Sequence, residues 1–75
     1  MEEQLRDRVV KDPQICGGRP CIRGTRIPIS LILGFLAAGE TIEQIIDAYP
    51  HLSEQDIRGA LAYAAELSQE GAVKA

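Results

Sequence analysis

The apolar residues in the middle of the chain recur at helical spacing and predict a first helix. Four of them follow the i, i+3, i+4, i+7 pattern that places side chains on one face: Ile29, Ile32, Leu33 and Leu36. Ser30 is the predicted N-cap of this helix and Gly39 its left-handed C-cap. Leu31 and Phe35 lie off the main face. The helix is therefore apolar over most of its circumference, which indicates burial on several sides by its own domain or by a partner.

A second helix follows at the segment "TIEQ", which has the spacing of a capping box. The Thr41 hydroxyl and the Gln44 amide can each satisfy a backbone group in the first turn. Apolar residues then form a single stripe and Pro50 ends the helix. The members of the stripe are Ile42, Ile45, Ile46 and Tyr49.

A third helix is predicted after the short segment "PHL", with Ser53 as its N-cap. Leu52 and Ile57 stand at the two positions of a hydrophobic staple. One predicted face carries Ile57, Leu61, Ala64 and Ser68. The helix is expected to run to about Glu70, where Gly71 can close it.

The first part of the chain predicts short strands. Val9 and Val10 are expected to form a brief strand that the following "KDP" ends. The pair Arg23-Gly24 lies between "PCI" and "TRI", which predicts a tight hairpin with a glycine at positive φ.

Together these elements predict a mainly α fold in a single domain, residues 1–75. Strands and a hairpin occupy about residues 9–29, and three helices occupy about residues 30–70. The last two helices are joined by a short connection, as in a helix-turn-helix. A plain three-helix bundle with no nucleic-acid partner has the same pattern, so that alternative stays open.

Composition supports a small folded domain with an aliphatic core. Of the 75 residues, 45% are hydrophobic, 25% are charged and only 4% are aromatic. The N-terminus lacks the order of a signal peptide, and the longest apolar run is too short for a bilayer, so no membrane association is expected. We therefore expect a cytoplasmic protein with reduced thiols.

Charge is distributed unevenly around the formal net charge of −3. Residues 1–30 contain six basic and four acidic side chains, whereas residues 31–75 contain two basic and seven acidic ones. A polyanionic partner would therefore prefer the first part of the chain.

The cysteines, glycines and histidine give little support for metal binding or catalysis. Cys16 and Cys21 have C-x4-C spacing, and only His51 could join them, whereas a structural zinc site takes four ligands. We expect both cysteines to act as small packing residues, with a metal-dependent or redox module as the weaker alternative. The segment "GGRPCIRGT" lacks the lysine of a phosphate-binding loop. With no nucleophile near His51 in sequence, the chain is predicted not to be an enzyme and to need no cofactor.

Three arginines on the predicted hairpin are the best candidates for a binding function: Arg19, Arg23 and Arg26. Arginine suits phosphate and guanine recognition because of its planar guanidinium. In a helix-turn-helix the third helix would enter the major groove by its first turns, which expose Ser53, Gln55 and Arg58. Glu54 and Asp56 near the same end would repel phosphates, so the hairpin is expected to supply most of the affinity.

Residues 12–65 closely resemble the bacterial family known as domain of unknown function 433. The resemblance rests on "GGRPCIRGTRIP", on "LAAG" and on "YPHLSEQDIRGALAYAA" in that order. The residues that match the family's motifs are Gly17, Gly18, Pro20, Gly24, Thr25, Arg26, Tyr49, Pro50 and Leu52.

The resemblance implies a small helix-turn-helix-like fold preceded by strands. It also implies an antitoxin-like function beside a PIN-like ribonuclease toxin. The small chain, the apolar first helix and the alanine-rich third helix predict a homodimer, and the arginines and the helix-turn-helix pattern predict that it binds DNA. The alternative is a protein-interaction domain that never contacts DNA. Only "SQEGAVKA" follows the bulk of the third helix, so we expect contact with a toxin to use the domain itself.

Overall fold

Three helices follow two very short strands in the computed structural model, which describes residues 4–69. The elements are a 3-10 turn at Leu5–Arg8, strand β1 at Val9–Val10, a 3-10 turn at Cys16–Gly18, strand β2 at Cys21–Ile22, and helices α1 at Ile29–Ala37, α2 at Ile42–Ala48 and α3 at Glu54–Gln69. The predicted fold class, mainly α with N-terminal strands before three helices, is confirmed. No helix within residues 4–69 is long and apolar enough to cross a membrane.

Strands β1 and β2 pair antiparallel, with Val9 opposite Ile22 and Val10 opposite Cys21. The predicted reversal at Arg23-Gly24 is present, because the Thr25 N–H donates to the Ile22 carbonyl at 3.0 Å and Gly24 has a φ of +82°. However, the chain after this turn adds only a bridge between Cys21 and Pro28. Two hydrogen bonds flank this bridge, from the Ile22 N–H to the Ile27 carbonyl and from the Ile29 N–H to the Pro20 carbonyl, each at 3.0 Å. Strand β2 therefore lies between β1 and this segment.

The N-cap of helix α1 lies two residues before the predicted Ser30, so that prediction is wrong. Pro28 is the N-cap residue, in extended conformation with a φ of −70° and a ψ of 143°, and no side chain caps the first turn. The proline's fixed φ places the chain at the start of the helix without a capping hydroxyl. The predicted C-terminus is confirmed. Gly39 has a φ of +97°, and the Glu40 N–H donates to the Phe35 carbonyl at 3.0 Å, as in a Schellman motif.

Helices α2 and α3 both begin with reciprocal caps. The Gln44 N–H donates to Thr41 Oγ1 at 3.1 Å, and the Thr41 N–H donates to Gln44 Oε1 at 2.8 Å, which confirms the predicted capping box. At α3 the Asp56 N–H donates to Ser53 Oγ at 3.2 Å, and the Ser53 N–H donates to Asp56 Oδ2 at 3.0 Å. Ser53 is therefore the N-cap that the sequence predicts. The predicted end of α3 near Glu70 and Gly71 lies outside the described residues.

The core is aliphatic and joins all the main elements. It is formed by Val9, Ile22, Ile29, Ile32, Ile45, Leu52, Ile57 and Ala60. The two staple residues, Leu52 and Ile57, are both members. The predicted face of α3 is partly wrong, because Leu61 is 42% exposed and Ser68 is exposed. Tyr63 in the third turn of α3 still packs against the core, whereas residues 65–69 are exposed, so the apolar repeat continues beyond the covered part of the helix.

The 3-10 turn at Leu5–Arg8, which the sequence pattern did not predict, packs across α3 at Gly59. A Cβ atom on Gly59 would lie 2.6 Å from the Leu5 carbonyl oxygen and 3.0 Å from Arg8 Cβ. Gly59 is buried and lies in the middle of a helix, where glycine otherwise costs stability. The absence of a side chain at this position lets the N-terminal segment lie directly on α3.

Candidate functional site

An open cleft of about 950 Å³ brings the predicted basic turn next to the start of α3. Three of the lining residues come from separate parts of the chain: Ile15 from the segment before the turn, His51 from the connection between α2 and α3, and Asp56 from α3. The turn itself contributes the other five, which are Arg23, Gly24, Thr25, Arg26 and Ile27. The arginines of the turn and the first turn of the third helix therefore belong to one surface.

The turn that carries the arginines is held by Thr25. Its hydroxyl donates to the Ile22 carbonyl at 2.8 Å and accepts from the Ile27 N–H at 3.0 Å. The Arg23 N–H also donates to the Arg8 carbonyl at 2.7 Å, which ties the turn to the segment before β1. These bonds fix the backbone from which Arg23 and Arg26 project, while both side chains remain on the exposed surface.

The two carboxylates at the start of α3 are engaged by arginines. Arg8 Nη1 donates to Asp56 Oδ1 at 3.0 Å in a partly buried pair, while Asp56 Oδ2 accepts from the Ser53 N–H. Arg58 binds Glu54 Oε2 through Nη2 at 2.9 Å and through Nε at 3.0 Å. Because each negative charge has a cationic partner, this end of α3 repels an anion less than the sequence suggested.

The structure brings together only part of the predicted arginine trio. Arg23 and Arg26 line the cleft, but Arg19 does not, and its Nε donates to the Cys16 carbonyl at 3.2 Å. Of the three α3 candidates, Gln55 is exposed, Ser53 is used as a cap, and Arg58 is paired with Glu54. The assignment of these six residues to DNA binding remains a prediction.

The structure places the sulfur atoms of Cys16 and Cys21 next to each other, so the two cysteines are not separate packing residues as expected, and the reduced state of their thiols stays a prediction. Cys21 is almost fully buried in β2, as a packing residue would be, whereas Cys16 is only half-buried, with a φ of +55°. The two cysteines flank the same glycine-rich turn, which brings their sulfur atoms together. No group of three or more histidine, cysteine or acidic side chains within residues 4–69 is arranged to hold a metal ion.

A further arginine, Arg6, forms an ion pair away from the cleft. Its Nη1 lies 2.6 Å from Glu66 Oε2 on the outer surface of α3. The hydrogen bond and the charge of Glu66 both raise the pKa of Arg6. This pair adds a second contact between the N-terminal segment and α3, besides the one between Arg8 and Asp56.

Sequence reasoning assigned neither Ile15 nor Ile27 to a site. It considered Asp56 only as a charge that repels phosphates and weighed His51 only as a metal ligand or catalytic residue. A usable signal existed for Asp56, because the segment "SEQD" has the spacing of a capping box with an acidic fourth residue. No local signal predicts the pairing of Arg8 with Asp56, since these residues are far apart in sequence.

The fold and the cleft define a small helical protein with a two-stranded ribbon at its N-terminus. More specifically, the chain belongs to the family described as "Protein of unknown function (DUF433)", whose model matches residues 9–64. This confirms the family that the sequence motifs indicated.

Two similar proteins extend this comparison. The chain is 41% identical over 59 residues to the uncharacterized protein y4eO of Sinorhizobium fredii, covering 79% of this chain and 27% of that protein. It also resembles the crystal structure of a DUF433 member protein from Anabaena variabilis, with a TM-score of 0.77 and 27% identity. That match covers 88% of this chain and 65% of the other. The chain thus spans about a quarter of the first relative and about two thirds of the second.

Proposed function

We propose that this protein is a non-catalytic, homodimeric DNA-binding module of the cytoplasm that also binds a PIN-like ribonuclease toxin. The observation that carries the DNA-binding part is the shared cleft, in which Arg23 and Arg26 lie beside the beginning of α3. In a helix-turn-helix this end of the last helix approaches the major groove. Arginines placed next to it would contact the phosphates on either side of the groove.

The charges at the start of α3 support this orientation. Arg8 and Arg58 balance Asp56 and Glu54, so the approach of a phosphate to this end meets little net negative charge. The connection between α2 and α3 spans the five residues 49–53, which is close to the turn of about three or four residues in a helix-turn-helix. The toxin partner is supported by the family resemblance alone, and it would contact the domain.

The salt dependence of DNA binding tests the proposal. Fluorescence anisotropy should be measured with a labelled duplex from the region upstream of the gene, between low and near-physiological salt. Affinity is expected to fall steeply with salt, and Arg23→Ala and Arg26→Ala should each reduce the slope by about one contact. Arg6→Ala is a matched control, because Arg6 pairs with Glu66 away from the cleft and the slope should not change.

Absence of binding to the upstream duplex at low salt, with or without a co-purified partner, would contradict DNA binding. If Arg6→Ala reduced the salt dependence of DNA affinity as much as Arg26→Ala, general positive charge, and not this cleft, would attract the DNA.

A protein-interaction domain without DNA binding is the second candidate. The exposed acidic residues of α2 and the segment before it favour it: Glu40, Glu43 and Asp47. These carboxylates give this side of the molecule a negative charge, which repels the phosphates of nucleic acid. Recovery of a ribonuclease-like partner in a pull-down, with no shift of the DNA by either protein or by the complex, would select this alternative.

A further inference from the structure

The lining of the cleft combines two arginines and a histidine with apolar walls. Arg23, Arg26 and His51 are exposed at its surface, and Ile15 and Ile27 are half-buried within it. An apolar wall lowers the local dielectric constant, so a charge held beside it interacts more strongly with an anion than it would in open water. The composition of this surface therefore favours a small anionic group.

The one acidic residue among the lining residues does not offset this preference. Asp56 Oδ1 accepts from Arg8 at 3.0 Å and Asp56 Oδ2 accepts from the Ser53 N–H at 3.0 Å. Both oxygen atoms are thus engaged in the cap of α3 and in the ion pair with Arg8. The carboxylate is neutralised locally and is already bound by groups of its own chain.

Arg26 is the cation best placed to bind a ligand. Within the described part of the chain, its guanidinium forms no hydrogen bond or ion pair with another side chain. Its backbone, in contrast, is fixed, because the Thr25 side chain bonds to the Ile22 carbonyl before the turn and to the Ile27 N–H after it. Gly24 adds open space, since a Cβ atom at this position would meet nothing within 4 Å.

We propose that this cleft is a phosphoryl-binding site in which Arg26 and His51 donate hydrogen bonds to the phosphate oxygens. A guanidinium binds phosphate through two parallel N–H groups, and an imidazole N–H supplies a third donor from the connection between α2 and α3. The inference rests on the proposed function in one respect: the phosphate group bound in the cleft would belong to the backbone of DNA. A free phosphate or a small phosphate ester has the same chemistry and is the other source.

Titration with inorganic phosphate tests the site without DNA. The full chain, labelled with ¹⁵N, is titrated with sodium phosphate and separately with sodium chloride at equal ionic strength and pH. Phosphate should cause saturable shifts of the Arg26 Nε–Hε and His51 ring resonances, whereas chloride should not. Arg26→Gln and His51→Ala should each weaken phosphate binding by about tenfold, because each removes a charge-assisted donor.

Two further variants separate the site from general charge and from misfolding. Arg6→Gln removes an arginine that lies outside the cleft lining and pairs with Glu66, so it should leave the phosphate affinity unchanged. Arg26→Lys keeps the charge without the planar fork, so its affinity should fall between those of wild type and Arg26→Gln. Equal shifts in chloride, or full phosphate affinity in a folded Arg26→Gln variant, would overturn the site.

DNA-binding measurements on the same variants show whether the cleft binds the phosphates of DNA or a small phosphate compound. Loss of DNA affinity in Arg26→Gln and His51→Ala, with Arg6→Gln less affected, supports the site as a contact for the DNA backbone. Phosphate binding without any DNA binding would retain the site for a small phosphate compound and overturn the proposed function. DNA binding that is unaffected by both cleft variants would overturn the site. It would also show that the protein contacts DNA through a surface other than the one proposed.

Discussion

At the residue scale, Gly59 shows how a single position couples distant parts of the chain. Replacement with alanine would place a Cβ atom 2.6 Å from the Leu5 carbonyl oxygen. Backbone cannot move aside as easily as the end of a side chain, so the N-terminal segment would be displaced. We expect Gly59→Ala to lower the free energy of unfolding by roughly 1–3 kcal/mol, despite the better helix propensity of alanine. Urea denaturation followed by circular dichroism measures this.

Gly34→Ala is the matched control. Gly34 also lies inside a helix, but a Cβ atom there would meet nothing within 4 Å. Alanine should therefore raise the free energy of unfolding by up to about 1 kcal/mol. If both substitutions changed stability in the same direction, the contact between Gly59 and the 3-10 turn would not be a determinant of stability.

At the scale of elements, the cap of α3 links helix initiation to the cleft. Ser53 Oγ accepts from the Asp56 N–H, and Asp56 in turn accepts from Arg8. We expect Ser53→Ala to cost about 1 kcal/mol, the usual value for a lost N-cap. Ser68→Ala, on an exposed turn of the same helix, should change the free energy of unfolding by less than about 0.5 kcal/mol. A Ser53→Ala variant as stable as Ser68→Ala would show that the cap contributes little.

At the scale of the whole molecule, uncovered apolar surface accompanies a small core. A chain of this size buries only about 60% of the surface that it exposes when unfolded, so self-association is a common source of further stability. Leu31 is 37% exposed, Leu61 is 42% exposed and Leu67 is 53% exposed, and α1 has no charged residue.

We therefore expect sedimentation velocity at tens of micromolar to give twice the mass of the chain. We expect the exposed leucines to lie in the dimer interface. Leu67→Glu and Leu31→Glu should each shift the protein toward the monomer, because burying an unpaired carboxylate in the interface is costly. The matched control is Gln55→Glu, which adds the same charge at an exposed polar position. A monomeric wild-type protein at this concentration would contradict the homodimer.

The sequence by itself determined the local structure, because caps, staples and apolar spacing act over a few residues. It indicated the capping box at Thr41, the N-cap at Ser53, the glycine that ends α1 and the turn at Arg23-Gly24. It missed the true start of α1, where the fixed φ of Pro28 takes the place of a capping hydroxyl.

Only the tertiary structure decided the contacts between distant segments. It paired β1 with β2, placed the 3-10 turn on Gly59 and joined Arg8 to Asp56. It also separated Arg19 from Arg23 and Arg26 and brought His51 into their cleft. These contacts depend on how the helices pack in three dimensions, and residues far apart in sequence carry no local signal of such packing.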